Sequence, residues 1–295
     1  MATNEETIKK PVVMRSRKRD SIIFKTVIYT VCSIFAILSL WPFICMLVNA
    51  TRSTASIQAN AVSLIPEKYL MANIKALKKM KTFDALTGMK NSFIISASVT
   101  ILNVYFSSLT AYAIYAYEWK LKKAFFGLIM GIMMLPGTVT MIGFYSTCYK
   151  LHLTDNKLML ILPAIAAPMT VFFMKQYLEG ALSMEIVESA RIDGASEFRT
   201  FNTIVVPIMK PAMATQAIFA FVGSWNNYFL PLILFNKTKN YTMPIMVALL
   251  NGDIYRREYG CIYVGLSTTA LPLIVIYLLL SKYIVSGIAL GSVKG

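Results

Sequence analysis

The sequence predicts an all-α polytopic membrane protein with six transmembrane helices, and three observations carry that expectation. The 295 residues are 57% hydrophobic and only 15% charged, whereas soluble domains are usually about a quarter charged. Apolar runs of about 20 residues, enough to cross roughly 30 Å of hydrocarbon, occur near 24–50, 91–117, 124–149, 157–177, 208–235 and 262–286. All fourteen acidic residues fall in the tail, the loops or the ends of those runs.

Residues 1–23 form a basic tail. The run after it, Thr26 to Ala50, exceeds the roughly 7–15 apolar residues of a signal-peptide core and reads as an uncleaved membrane anchor. Basic residues favour the cytoplasmic side. The tail, together with Lys120, Lys122 and Lys123 in the second loop, therefore places both termini in the cytoplasm. The 51–90 segment, with Lys75, Lys78, Lys79 and Lys81, runs against that assignment; Pro66 and a helical pattern make it an ordered external loop with a short surface helix.

In the second run, Ser96, Thr100, Asn103, Ser107 and Thr110 fall on one helical stripe beside an apolar stripe of Ile95, Val99, Leu102, Phe106 and Leu109. Such a stripe is either the wall of a wet pathway offering hydroxyls and an amide to a hydroxylated solute, or ordinary helix–helix packing. Pro136 permits a bend in the third run, and Pro163 and Pro168 in the fourth.

Between the fourth and fifth runs, 178–207 reads as a pair of short helices outside the hydrocarbon. Ser183 caps the first, Glu185 sits in its first turn, Asp193-Gly194 stops it, and Ser196 caps the second. Pro207 and Pro211 then introduce the fifth span, whose outer half holds "WNNYFLPL". Adjacent amides Asn226 and Asn227 point about 100° apart on a helix, so one can face a cavity while the other bonds a neighbouring span. Trp225 and Tyr228 flank them as further candidates for the pathway. Residues 291–295 form a short cytoplasmic tail after the sixth run.

These features exclude several functions. The net charge of +15 comes from basic residues clustered beside apolar runs, where they meet lipid headgroups rather than nucleic acid. The four cysteines show no CxxC and no histidine at metal spacing, which predicts no metal site; a Cys148–Cys261 bridge stays open. The single histidine, His152, falls in a polar loop. No phosphate-binding loop, HExxH or GxSxG pattern occurs. No carboxylate lies mid-span to bind a coupling ion. The chain shows neither an energy source nor a nucleophile of its own.

Glu188-Ser189-Ala190, three residues, Gly194, nine residues and Ile204-Val205-Val206-Pro207 resemble the EAA-x3-G-x9-I-x-L-P loop of ABC importer permeases. "ARIDGAS", Ala190 to Ser196, is similar to the carbohydrate branch. Trp225-Asn226, Pro231-Leu232, Met243-Pro244, Tyr259-Gly260 and the ending "SGIALGSVKG" resemble the maltose-permease type. Ser189 departs from the middle Ala, and Val206 from Leu.

The resemblance implies a type I importer permease fold with a cytoplasmic coupling helix pair. Glu188, Ser189, Ala190, Asp193, Gly194, Ala195 and Pro207 would dock one of two cytosolic ATPase subunits, and Gly291, Lys294 and Gly295 would touch the ATPase interface. ATP and Mg would bind those partners and no cofactor would bind this chain, which is not itself an enzyme. A second homologous permease and an extracytoplasmic solute-binding protein would complete a complex in a prokaryotic plasma membrane. Its solute would be an oligosaccharide or glycoside. An ABC permease for another solute, or an ion-coupled secondary transporter, is the alternative.

Overall fold

The computed structural model describes residues 14–80, 83–250 and 258–291, with side chains placed for 24–80, 83–250 and 258–278. Its helices are α1 (Met14–Ala50), α2 (Thr54–Ala59), α3 (Leu70–Lys79), α4 (Ala85–Ala116), α5 (Lys122–Met133), α6 (Gly137–Lys150), α7 (Leu158–Ile161), α8 (Pro168–Ala181), α9 (Met184–Ile192), α10 (Glu197–Thr200), α11 (Val206–Trp225), α12 (Phe229–Leu234), α13 (Met243–Leu249) and α14 (Tyr259–Gly291). Among the described residues no strand is present.

Five helical segments are long and apolar enough to span a bilayer: Phe24–Ala50, Ala85–Ala116, Leu158–Ala181 (α7 and α8 joined by a 3-10 turn), Glu197–Trp225 and Tyr259–Leu278. The third expected span, 124–149, is instead broken: α5 and α6 meet at 97°. Pro136 explains the break, because it lacks an N–H and disfavours the helical conformation at the residue before it. Counting that bent pair as one span restores six.

The fifth span is also displaced. It was expected at 208–235, but the helix runs from Glu197 to Trp225 and stops. Asn226 and Asn227 end it, and α12 is a separate short helix. Pro231 would clash with the carbonyl of Asn227 were the helix continuous. At the other end, α10 joins α11 through a π turn, Phe201–Val205. The widened turn lets the chain pass Pro207 without a break; Val206 N–H reaches back to the carbonyl of Phe201. The second short helix of the 178–207 loop is thus the beginning of the fifth span.

The remaining boundaries shift modestly. The first helix already begins at Met14, inside the predicted tail. The second span starts at Ala85 because Asp84 caps it: Oδ1 accepts from the N–H groups of Leu86 and Thr87 at 3.1 and 3.2 Å. The 51–90 segment holds two short helices, α2 and α3, instead of one. Buried Arg52 ties it together by donating to Asn49 Oδ1 (2.9 Å) and to the carbonyls of Asn60 (2.6 Å) and Ser56 (2.9 Å).

The centre of the bundle is α4, packed against α8 and α11. Ser96, Ser107, Ser108 and Ala111 on α4 are fully buried, and such small side chains let helix backbones approach closely. One apolar core joins Val104, Ala111 and Tyr112 of α4, Met174 and Leu178 of α8, Val187 of α9, and Phe201, Val205 and Met209 before and within α11. A second, at the opposite end, joins Leu77, Phe83, Met243, Met246 and Cys261. All four cysteines are free, and Cys148 and Cys261 are buried in different cores, so they form no bridge.

Replacing Asp84 by Ala should cost about 1 kcal/mol, the usual value of an N-cap, read as a lower Tm in detergent. Hydrogen bonds from Thr87 and the backbone hold the Asp84 carboxyl below its ordinary pKa. The contribution of the cap is therefore present at neutral pH. It disappears as the pH falls below about 4, the unperturbed aspartate value, and on through the lower folded value. The Tm difference between wild type and Asp84→Ala should shrink over that range.

Candidate functional site

Two sites emerge, one on α9 and one between α4 and α11. Ser183 begins α9 by accepting from the N–H of Glu185 at 3.3 Å. The helix ends in a Schellman turn: Gly194 N–H reaches the carbonyl of Arg191 and Ala195 N–H that of Ala190, both at 3.0 Å. Gly194 takes φ +76°, a conformation that L side chains reach only with strain, which explains a glycine here. Ser196 caps the next helix, accepting from Arg199 N–H at 3.4 Å.

The two faces of α9 differ. Val187 (0% exposed) and Ala190 (6%) insert into the core, whereas Ile186 (44%), Ile192 (86%) and Phe198 (66%) stand in the open. Glu188, Ser189, Asp193 and Gly194 are exposed beside them, and Ala195 is half-buried. Of the predicted docking residues, Ala190 faces inward and holds the helix to its own bundle. Pro207 is exposed but belongs to α11, beyond the π turn.

Glu197 closes the element. It pairs with Arg191 Nε at 2.6 Å and accepts from Tyr117 Oη at 2.6 Å and Tyr112 Oη at 3.3 Å. The Arg191 guanidinium lies over the Tyr117 ring, 5.4 Å from its centroid. Tyr117 ends α4, and burial followed by its bond to Glu197 pushes the phenol up to about 12. Nothing in the sequence spacing pointed to this cluster, since its members come from separate elements.

The second site is a cavity of about 220 Å³ lined by Ser92, Ser96 and Asn103 of α4, Ser224 and Asn227 at the end of α11, and Thr242 before α13, with Ile95, Val99 and Phe219 among its apolar walls. Its lining carries no charged side chain. Ser96 Oγ, Asn103 Oδ1 and Thr242 Oγ1 are buried without a hydrogen-bond partner in the protein. Buried polar groups normally find partners, so this cluster presents free hydrogen-bonding capacity to whatever enters.

The predicted pathway residues divide. Asn103 and Asn227 line the cavity. Asn226 is exposed and does not line it. Ser107 is fully buried one turn along α4 with its hydroxyl unpaired, Thr110 is half-buried and Tyr228 is exposed; none of the three lines the cavity. Trp225 is a structural residue: 1% exposed, stacked on Phe221 at 5.6 Å, it donates from Nε1 to the carbonyl of Thr269 on α14 at 3.2 Å. Ser92, Ser224 and Thr242 were missed. Ser92 lies one turn before Ser96, and Ser224 three residues before Asn227. Thr242 reaches the cavity only through the tertiary fold. Gly291 is the last residue of α14, and Lys294 and Gly295 lie outside the described residues. Among the described residues no cluster of His, Cys, Asp or Glu suits a metal ion.

An all-helical, multi-pass bundle with an exposed capped helix at one end and a polar cavity within defines a membrane transport subunit. Residues 103–289 match the family model described as "Binding-protein-dependent transport system inner membrane component". The chain belongs to that family of ABC importer permeases. It is 32% identical over 263 residues to the arabinooligosaccharides transport system permease protein AraQ of Halalkalibacterium halodurans, covering 88% of this chain and 93% of that one. With the trehalose/maltose transport system permease protein MalG of Thermococcus litoralis it shares 28% identity over 94% of this chain and 99% of that one. Its fold matches a chain in the crystal structure of a bacterial ABC transporter that imports the acidic polysaccharide alginate, with TM-score 0.77 and 22% identity, over 93% of this chain and 99% of that one.

Trp225→Ala should destabilise the protein by about 3–5 kcal/mol, the cost of emptying a buried aromatic site, visible as aggregation or a large fall in Tm. Asn227→Leu should leave Tm nearly unchanged while lowering transport, which separates a packing residue from one that faces the cavity.

Proposed function

We propose that this chain carries a neutral oligosaccharide or glycoside across the plasma membrane of a prokaryote, using ATP hydrolysed on separate cytosolic subunits. The observation that carries the reading is α9. Its inner face is locked into the core by Val187 and Ala190. Its outer face offers Ile186, Glu188, Ser189 and Ile192, with Phe198 beside it. An exposed apolar knob rimmed by polar groups on a rigid helix suits insertion into a cleft on a partner. The end of the bundle that carries α9 would then face the cytoplasm together with both termini. The opposite end would meet the solute-binding protein.

Several features support the solute class. The cavity offers hydroxyl and amide groups without charge, which fits a hydroxylated neutral solute better than an acidic one. Relatives named for arabinooligosaccharides, for lactose and for trehalose/maltose agree with that chemistry. The lining residues of this chain hold and orient the solute by hydrogen bonds, while the apolar walls exclude bulk water. A second, homologous permease would close the other side of the path. ATP and Mg would act only on the ATPase subunits, which would grip Glu188 to Gly194.

The test is co-purification from mild detergent with a tag on this chain, wild type against Gly194→Asp. Aspartate at φ +76° strains the turn and places a charge on the docking face. Wild type should bring down an ATPase, and the variant should lose it or hydrolyse ATP without transport. A well-folded wild type that binds no ATPase in any nucleotide state would overturn the reading.

A further inference from the structure

Glu197 joins three elements at one carboxylate. Its Oε1 accepts from Arg191 of α9, and its Oε2 accepts from Tyr117 and Tyr112 at the end of α4. It stands in the first turn of α10, which continues through the π turn into α11. Farther along α4 stand Asn103, Ser96 and Ser92, and the other end of α11 carries Ser224 with Asn227 just beyond it; with Thr242 these form the polar lining of the cavity.

The ion pair alone does not account for this arrangement. The side chains of Arg191 and Glu197 are 34% and 41% exposed, and a solvent-exposed ion pair contributes little to folding. What the cluster does fix is geometry. Tyr112 also stacks near Tyr117 and Phe201, at 5.9 and 5.6 Å between ring centroids. Among the described residues, Arg191 is the only residue of α9 whose side chain hydrogen-bonds to another element.

We propose that Glu197 is a positioning residue that couples the docking helix to the walls of the cavity. A push on α9 is passed through Arg191 and Glu197 to Tyr117 and Tyr112, and so to α4, while the backbone of α10 delivers it to α11. The two walls then move together. Apolar contact of Val187 with the core holds α9 in place, but it is non-directional and permits sliding; the carboxylate bridge sets direction. This inference rests on the reading of α9 as the ATPase-docking element.

The experiment uses the tagged complex from native membranes, with the four native cysteines replaced and Asn103→Cys introduced as a reporter. Labelling of that cysteine by a membrane-impermeant thiol reagent is compared with and without ATP and vanadate. Glu197→Gln weakens all three bonds; Tyr117→Phe removes the shorter of the two bonds to α4; Arg191→Gln removes the bond to α9. In the parent protein, nucleotide should change the labelling rate. In each variant the ATPase should still co-purify, and the nucleotide-dependent change should fall by about fivefold or more, the lower end of typical coupling between sites. Tyr117→Phe added to Glu197→Gln should produce no further loss, because both break one chain.

If Tyr117→Phe and Glu197→Gln respond to nucleotide as the parent does, the proposal is overturned. If the variants instead release the ATPase, Glu197 merely shapes the docking surface and the proposal is again overturned. A parent protein that binds no ATPase marks failure of the docking reading itself, and the proposal falls with it.

Discussion

The packing of α4 against α8 and α11 is the contact on which the other parts of the molecule depend. Hydrocarbon supplies no hydrophobic drive for helix association, so helices inside a membrane associate through close van der Waals fit and a few polar contacts. Ser96, Ser107, Ser108 and Ala111 make that fit possible by leaving α4 narrow where its neighbours cross it. Ser108 turns its hydroxyl onto the carbonyl of Val104 at 2.7 Å and so packs as a nearly apolar group. Larger side chains here would push α8 and α11 away, and with them the core that seats Val187.

The same helix is both strut and wall, and its polar residues show where one role passes to the other. Thr100, like Ser108, satisfies its hydroxyl on its own backbone. Ser96 and Asn103, one turn before and one turn after it on the same stripe, do not. Leaving such atoms unpaired costs on the order of 1–3 kcal/mol each, and three of them converge on one cavity. Local rules of this kind are broken mainly where function requires it. In the cavity, three such groups are left together for something else to satisfy.

Much of this was legible in the sequence, and the misses share a cause. Helical caps and stops depend on neighbours in the chain: Ser183, Gly194 and Ser196 do what their positions suggest. The polar stripe of α4 was visible from its period, yet only Ser96 and Asn103 of it reach the cavity. Whether a residue lines a space depends on the helices opposite, which periodicity does not reveal. Trp225 looked like part of the pathway because it adjoins two amides, but the carbonyl of Thr269, distant in sequence, claims its indole. The fifth span was misplaced at its start because Pro207 was read as a boundary, and at its end because Pro231 was not. Pro207 is absorbed by a π turn and Pro211 stands inside α11, whereas Pro136 and Pro231 fall where helices break.

That absorbed proline decides how the two ends of the span are joined. Had Pro207 broken the helix, Glu197 would stand on a separate segment from Ser224. The π turn keeps Glu197 to Trp225 one helical stretch, with Glu197 at one end and the cavity at the other. Immediately beyond Trp225 the helix stops, and Asn227 stands on the irregular segment before α12. Backbone outside a helix is tolerated at membrane depth where it is buried in protein or lines a cavity. The helix therefore runs unbroken from Glu197 to the edge of the cavity, and the chain becomes irregular only where it meets that space.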